Sequence, residues 1–382
     1  MRVLVLVDHS ADLEIRPDLT IFDYMADVTS QHDIKSLFPF LDPRRVQTQL
    51  CTIYGSDTDA SISLKARSRF EVLAWRRLAR FLREGNFDLV HALGPTAIYY
   101  AGIVGRMTGT PSVATFYRVD SPLKKTRQDY SSMAQSMRSW LNFWVMRKTL
   151  NKGVAISELV RRDLWRSGFA EDKIELNYPG FDLPDPERIL PSRSDLGLPD
   201  GPLVTMVTHF DETQSHAVFL DSLVHLHVNV PTVQVAIIGK GSAPERLRLN
   251  QQIHKRNIIP PTLVSDGVNV RDVIASSQVV VIHPFTECIP LVLIEAGAAG
   301  KPVVASRVPG VSEIVEQDVS GLLITPGDSR DMTIQIGRLL QQPKYMHDIG
   351  IRAQRRISER FALETQAHRM MIIYEETIYS TR

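Results

Sequence analysis

VVVIHPFTECIPLVLIEAGAAGKPVVAS, residues 279–306, reads as one complete strand–loop–helix–strand unit. A β-branched run ends in Pro284, a helical stretch opens near Pro290, and a second β-branched run follows at 302–305. Proline suits the first helical turn, where its missing N–H costs nothing. Runs apolar on both faces, rather than alternating, belong to parallel sheets covered by helices on both sides. Glu287 and Glu295 fall on this unit with seven residues between them. Glu287 stays in the loop, while Glu295 sits about 7.5 Å along the helix at 1.5 Å per residue. Between them the helix N-terminus offers free backbone N–H groups and the positive end of a dipole. On spacing alone two readings stand: a helix with one surface and one N-terminal glutamate, or a site taking hydroxyls at either end and an anion in the middle, the order of groups in a nucleoside diphosphate sugar.

The same alternation runs outward in both directions. Residues 204–208, 233–238, 262–264, 279–282, 302–305 and 321–324 read as six buried strands, each followed by a helical or turn segment. Upstream, 3–7, 89–92, 112–116 and 153–156 read as strands and 70–82 as an amphipathic helix. Between the two series lies FDLPDPERILPSRSDLGLPDGP, 181–202, with five prolines, a linker composition. The predicted organisation is an N-terminal acceptor domain at 1–182, a linker at 183–201 and a C-terminal donor domain at 202–360. The tail, 348–379, reads as one long helical pattern. The fold class is α/β: two Rossmann-like domains in tandem, with a ligand crevice at the carboxyl ends of the strands, between the halves.

Composition narrows the function classes. The 382 residues are 43% hydrophobic and 23% charged, with a net charge of +1, an ordinary soluble composition that gives no reason to expect nucleic acid. The charge is uneven: residues 60–180 carry 20 Lys and Arg against 10 acids, whereas 1–59 carry 5 against 10. That basic stretch reads first as ordinary solvated helix faces and second as a surface suited to substrate phosphates or an anionic membrane touched from outside. Cys51 and Cys288 stand far apart without metal-ligand spacing, so neither disulfide nor zinc site is expected. The opening MRVLVLV reads as a strand rather than a leader, and no apolar window spans a bilayer. The expected location is the cytoplasm, with peripheral contact at the inner membrane face.

The 286–306 segment resembles the E-x7-E signature of retaining glycosyltransferases of family 4, which have the two-Rossmann GT-B architecture. KPVVASRVPGVSEIVEQDVSGLLITPGD, 301–328, resembles the PVV-x-S…GLLV-x-PGD block of that family, and FDLVHALGP, 87–95, its D-x-V-H-x-H segment. VAISELVRRDL and YPGFD, 154–164 and 178–182, are similar to its serine-bearing strand and nGvD turn. The resemblance implies transfer of a hexose-type sugar, with retention and without a metal or other cofactor, from a UDP- or GDP-sugar to a glycan, lipid or small-molecule acceptor. Such chemistry belongs to polysaccharide biosynthesis and its relatives. It also implies that Glu287 contacts the donor sugar, Glu295 the ribose, and the amides of Ile289, Leu291 and Val292 the sugar and phosphates. A closing helix, 361–382, would pack back on the N-terminal domain.

Three departures from the family pattern stand out. Where it carries arginine and lysine for the donor diphosphate, this chain has His209 and Gln214, with His216 close behind. Neither imidazole nor amide replaces a fixed cation. Tyr117 takes the place of the catalytic-region histidine, and no glycine-rich loop follows the first strand. These substitutions also fit an alternative, a catalytically weakened partner subunit that binds another transferase or a glycan. IIGKGSAP, 237–244, lacks the last glycine of a dinucleotide fingerprint and reads instead as a tight turn bringing Gly239 and Lys240 toward a nucleotide. Trp140 and Trp144 form a helical stripe with Met133, Met137 and Leu141, read first as core.

Overall fold

The computed structural model describes residues 1–8, 40–55, 62–68, 71–117, 144–181, 183, 191–264, 268–285 and 290–381. Glu287, Cys288, Ile289 and the tryptophan stripe other than Trp144 lie outside the described residues; Trp144 itself is exposed. The described chain forms two compact units, one built from residues up to 181 plus those from 363 onward, the other from 183 to 362.

In the first unit, β1 (Arg2–Val7) lies between β2 (Gln47–Thr52) and the later β4. After β3 (Ile62–Ser63) come helix α1 (Val72–Glu84), β4 (Leu89–Leu93), helix α2 (Pro95–Thr108), β5 (Ser112–Phe116), β6 (Lys152–Ala155), helix α3 (Glu158–Arg166) and β7 (Ile174–Leu176). All seven strands are parallel in the order 3-2-1-4-5-6-7. Alternation along β1 divides its side chains between two cores: Leu4 and Leu6 join the cluster holding Ala74, Leu78 and Leu82 of α1, while Val3, Val5 and Val7 face the opposite side.

The second unit runs β8 (Leu203–His209), α4 (Thr213–Asn229), β9 (Gln234–Lys240), α5 (Ala243–His254), β10 (Thr262–Val264), α6 (Val270–Ser276), β11 (Val279–Ile282), α7 (Leu291–Ala298), β12 (Val303–Ser306), the short α8 (Val311–Ile314), β13 (Leu322–Ile324), α9 (Ser329–Gln341) and α10 (Pro343–Phe361). Its six strands order as 10-9-8-11-12-13, again all parallel. Phe219 and Leu223 of α4, Leu249 of α5 and Met332 and Ile336 of α9 cover one face. α7 packs on α10 so closely that a Cβ at Gly297 would stand 2.6 Å from Cγ1 of Ile357. Residues 191–201, assigned to the linker by their prolines, are packed onto this unit. Leu196 and Leu198 are buried, and Arg193 Nη2 donates to Ser276 O at 2.7 Å and Gln278 Oε1 at 2.9 Å.

The tail read as one helix is two. Ala362, at φ −73 and ψ 149, leaves helical geometry and separates α10 from α11 (Leu363–Thr381). α11 buries Ala367, Met370, Met371, Tyr374 and Ile378 against Val3, Val5, Val7, Leu89 and Val113, closing the second face of the first sheet. Beneath it His91 bridges Tyr374 Oη at 2.7 Å and Thr115 Oγ1 at 2.8 Å. Complete burial pushes the His91 pKa down to about 3, so the ring is neutral. Both ring nitrogens are thereby partnered, as a buried imidazole requires.

Candidate functional site

In a doubly wound sheet the ligand crevice lies at the carboxyl ends of the strands, where the strand order reverses. In the second unit that point is between β8 and β11. β8 ends in His209, which pairs in register with Lys240 at the end of β9, and Phe210 N donates to Lys240 O at 2.9 Å. Two residues remote in sequence are thus adjacent on the rim. Gly239 is glycine for a packing reason: a Cβ there would meet Thr208 O at 2.5 Å and the Phe210 ring at 2.6 Å. Gln214 follows in the first turn of α4 and is exposed.

Carboxylates accompany His209. Burial raises the pKa of Glu212, against the opposing pull of His209 and of Thr208, whose Oγ1 donates at 3.3 Å. Glu245 is held ionised by its hydrogen bonds to Ser242, whose N donates to Oε2 at 2.6 Å in the capping box of α5. His216 is wholly buried, with Nε2 3.2 Å from Thr208 Oγ1, and desolvation lowers its pKa to about 4. It is a neutral structural ring, not a second cation.

On the β11 side, the loop after the strand is tied down from three directions. Ser215 Oγ of α4 donates to His283 O at 2.7 Å, Ser306 Oγ of β12 to Pro284 O at 2.5 Å, and Gly327 N to His283 Nε2 at 3.1 Å. His283 is 2% exposed, and desolvation lowers its pKa to about 4, which keeps Nε2 available as an acceptor. Gly327 reaches it from a left-handed conformation, φ +85, which explains the PGD turn. None of Ser215, His283, Ser306 or Gly327 stood out in the sequence as a site residue, because each anchors a partner far away in the chain.

α7 opens at Leu291 with Pro290 as its N-cap and no side-chain cap. The amides of Leu291 and Val292 therefore belong to the set that a helix leaves without internal partners. Four residues into the helix from Leu291 stands Glu295, its side chain only 13% exposed. Oε1 accepts from Arg271 Nε at 2.9 Å, whereas Oε2 is buried and takes no hydrogen bond from a described residue. Desolvation raises the Glu295 pKa, opposed by the Arg271 charge. Tyr117, at the end of β5, belongs to the first unit and packs partly buried against both of its cores. Among the described residues no cluster of three His, Cys, Asp or Glu suits a metal ion, and no helix is long and apolar enough to cross a membrane.

Known proteins share this architecture. Residues 32–184 match the Glycosyltransferase Family 4 model and residues 191–356 the Glycosyl transferases group 1 model. The sulfoquinovosyl transferase SQD2 of Arabidopsis thaliana is 25% identical over 72% of this chain, and the chain spans only 54% of that protein's length. A phosphatidyl-myo-inositol mannosyltransferase of Mycolicibacterium smegmatis is 25% identical over 81% of this chain and 76% of its own. Among solved structures, Anabaena Alr3699/HepE in complex with UDP superposes with a TM-score of 0.70 over 100% of both chains at 20% identity. With one glycosyltransferase model on each half and a two-Rossmann GT-B fold beneath them, the chain belongs to the group 1 and family 4 glycosyltransferases.

Proposed function

We propose that the protein transfers a hexose-type sugar, with retention, from a nucleoside diphosphate sugar to a hydroxyl of a glycan, lipid or small-molecule acceptor. One observation carries the reading: Glu295 keeps a buried, unpartnered oxygen at the carboxyl rim, beside a helix N-terminus without a side-chain cap. A buried acceptor without a donor costs about 1–3 kcal/mol, which a ribose hydroxyl would relieve. The diphosphate lies along the α7 amides, the ribose at Glu295 and the sugar toward Glu287. Relatives support the donor class: the Anabaena structures hold UDP or UDP-glucose.

In this reading the bond from the sugar C1 to the diphosphate oxygen breaks as the acceptor oxygen attacks C1 from the same face. The acceptor proton passes to the departing diphosphate. Oriented amides and nearby side chains stabilise the developing charge, and activity survives chelation by EDTA. Complete, metal-reversible loss of turnover in EDTA would count against this mechanism. The protein acts in the cytoplasm, and its basic N-terminal half touches an anionic membrane peripherally.

A second reading is favoured by the other end of the rim. His209 stands where the family carries a fixed cation, and it shares its surroundings with Glu212 and Glu245. A weakened partner subunit would tolerate that. A thermal-shift panel of UDP, GDP and their sugars, with diphosphate release assayed in parallel, separates the two. A binder is stabilised by about 2.7 kcal/mol at a hundredfold excess over Kd. Binding with turnover supports the enzyme, binding without turnover supports the subunit, and no shift with any nucleotide removes the enzyme.

A further inference from the structure

Arg271 is absent from every motif that marks the donor site, yet it holds the residue at its centre. α6 follows the carboxyl end of β10, so it begins at the same rim as His209 and α7. Asn269 caps it, accepting from Arg271 N at 2.9 Å, which fixes the arginine backbone. From there the side chain, 43% exposed, places Nε 2.9 Å from Glu295 Oε1. The guanidinium fork is planar and directional, so this contact selects one glutamate rotamer rather than merely neutralising a charge. Oε1 is thereby occupied and Oε2 is the oxygen left over.

We propose that Arg271 is a positioning residue for the donor ribose: by holding Oε1 of Glu295 it aims Oε2 at the 2′- and 3′-hydroxyls and so sets the preference for a ribonucleotide. This rests on the reading of Glu295 as the ribose residue. Arg271 touches the nucleotide through Glu295 alone. Its removal therefore frees the carboxylate to turn and abolishes the advantage that the ribose hydroxyls confer. Lysine keeps the charge but not the directed Nε–H, and restores only part of it.

The test is calorimetric titration of UDP and GDP, each beside its 2′,3′-dideoxy form, into wild type, Glu295→Ala, Arg271→Ala, Arg271→Lys and the double variant. Wild type is expected to prefer the ribo form by tenfold or more, and Glu295→Ala to erase that preference. Arg271→Ala should weaken ribonucleotide binding about tenfold while leaving the dideoxy affinity in place. Arg271→Lys should fall between, and the double variant should bind no worse than Glu295→Ala alone. Equal loss for ribo and dideoxy forms, or no loss for either, overturns the role of Arg271. A Glu295→Ala variant that keeps the ribo preference overturns the reading of Glu295 instead. Failure of every nucleotide to bind wild type removes both. Should Arg271→Ala fail to fold, Arg271→Lys and Arg271→Gln carry the same comparison.

Discussion

The two sheets place a helix after the corresponding strand in the same way, and the two helix N-termini are treated oppositely. In the first unit, Asp8 at the end of β1 fills the α2 N-terminus: Oδ1 accepts from Ala97 N at 2.6 Å and Oδ2 from Thr96 N at 3.1 Å. Gly94, at φ +93, leaves room for that carboxylate, which a Cβ would crowd at 3.0 Å. In the second unit, α7 has Pro290 as its N-cap and no side-chain cap from a described residue. A helix N-terminus attracts an anion. One half supplies that anion from its own chain; in the other no described side chain caps the terminus, which is the position given to the donor diphosphate in the proposed function. A repeated fold thus need not repeat the treatment of its helix termini.

The largest effects are expected from removing the two carboxylates assigned to the donor in the proposed function. Glu287→Ala is expected to cut turnover by two to three orders of magnitude, the scale of losing one transition-state contact in a catalytic site. Glu295→Ala should weaken nucleotide binding instead, by about 1.5–3 kcal/mol for a hydrogen bond to a charged group. Nucleotide affinity unchanged in Glu295→Ala, measured by calorimetry, would sink the assignment of the open terminus to the donor.

Acid distinguishes the units next. His91, His216 and His283 have pKa values lowered by burial to about 3, 4 and 4, so the unfolded chain binds more protons than the folded one below the ordinary histidine range. Stability is then complete above about pH 6.5 and falls as pH drops. Between pH 6.5 and 4.5 each histidine removes on the order of 2–3 kcal/mol. In the second unit the raised Glu212 and Glu295 work the other way, since their ionisation costs stability that acid recovers. Among the described residues the first unit carries one such histidine, His91 under α11, so its acid loss is expected to run through that ring. Urea melts at the two pH values should show His91→Gln flattening the loss, and equal slopes for wild type and variant would refute the role given to His91.

What could be read in the sequence follows from where the signal is local. The six strands of the second sheet were legible because β-branched runs such as VVVI are apolar on both faces. β2, QTQLCT, begins with polar residues at its open end; β3 has two residues; β7 is three residues, IEL, with its glutamate paired to Lys152. None carries enough apolar periodicity to register. The break at Ala362 was hidden because α10 and α11 are each helical to within one residue of it. Glu295 was legible from spacing and family resemblance. Arg271 was not, because 24 residues and a strand separate it from its partner and only the crossover through β11 joins them. The same holds for Gly327 and His283, 44 residues apart.

Stripping the closed terminus is a smaller perturbation. Asp8→Ala removes two charge-assisted bonds to the α2 amides and should destabilise the first unit by about 1–3 kcal/mol. Nucleotide affinity should not move. A fall in affinity comparable to that of Glu295→Ala would mean that the first helix terminus also serves the donor, and the contrast between the halves would be lost.

The smallest effect concerns His209 and Gln214, at the positions where the family resemblance implies cations. A departing diphosphate gathers negative charge in the transition state, and cations there stabilise it more than they stabilise the bound donor. His209 and Lys240 are paired at the strand ends, with Glu212 and Glu245 close by, while Gln214 lies exposed one turn along. If His209 assists the leaving group, His209→Ala should lower turnover about tenfold at most while nucleotide affinity moves less. Equal turnover for wild type and His209→Ala would take His209 out of the mechanism. His209→Arg with Gln214→Lys supplies two fixed charges and should tighten nucleotide binding. Should turnover be undetectable while this double variant binds nucleotide more tightly, the rim is that of a subunit that has kept its fold and lost its cations.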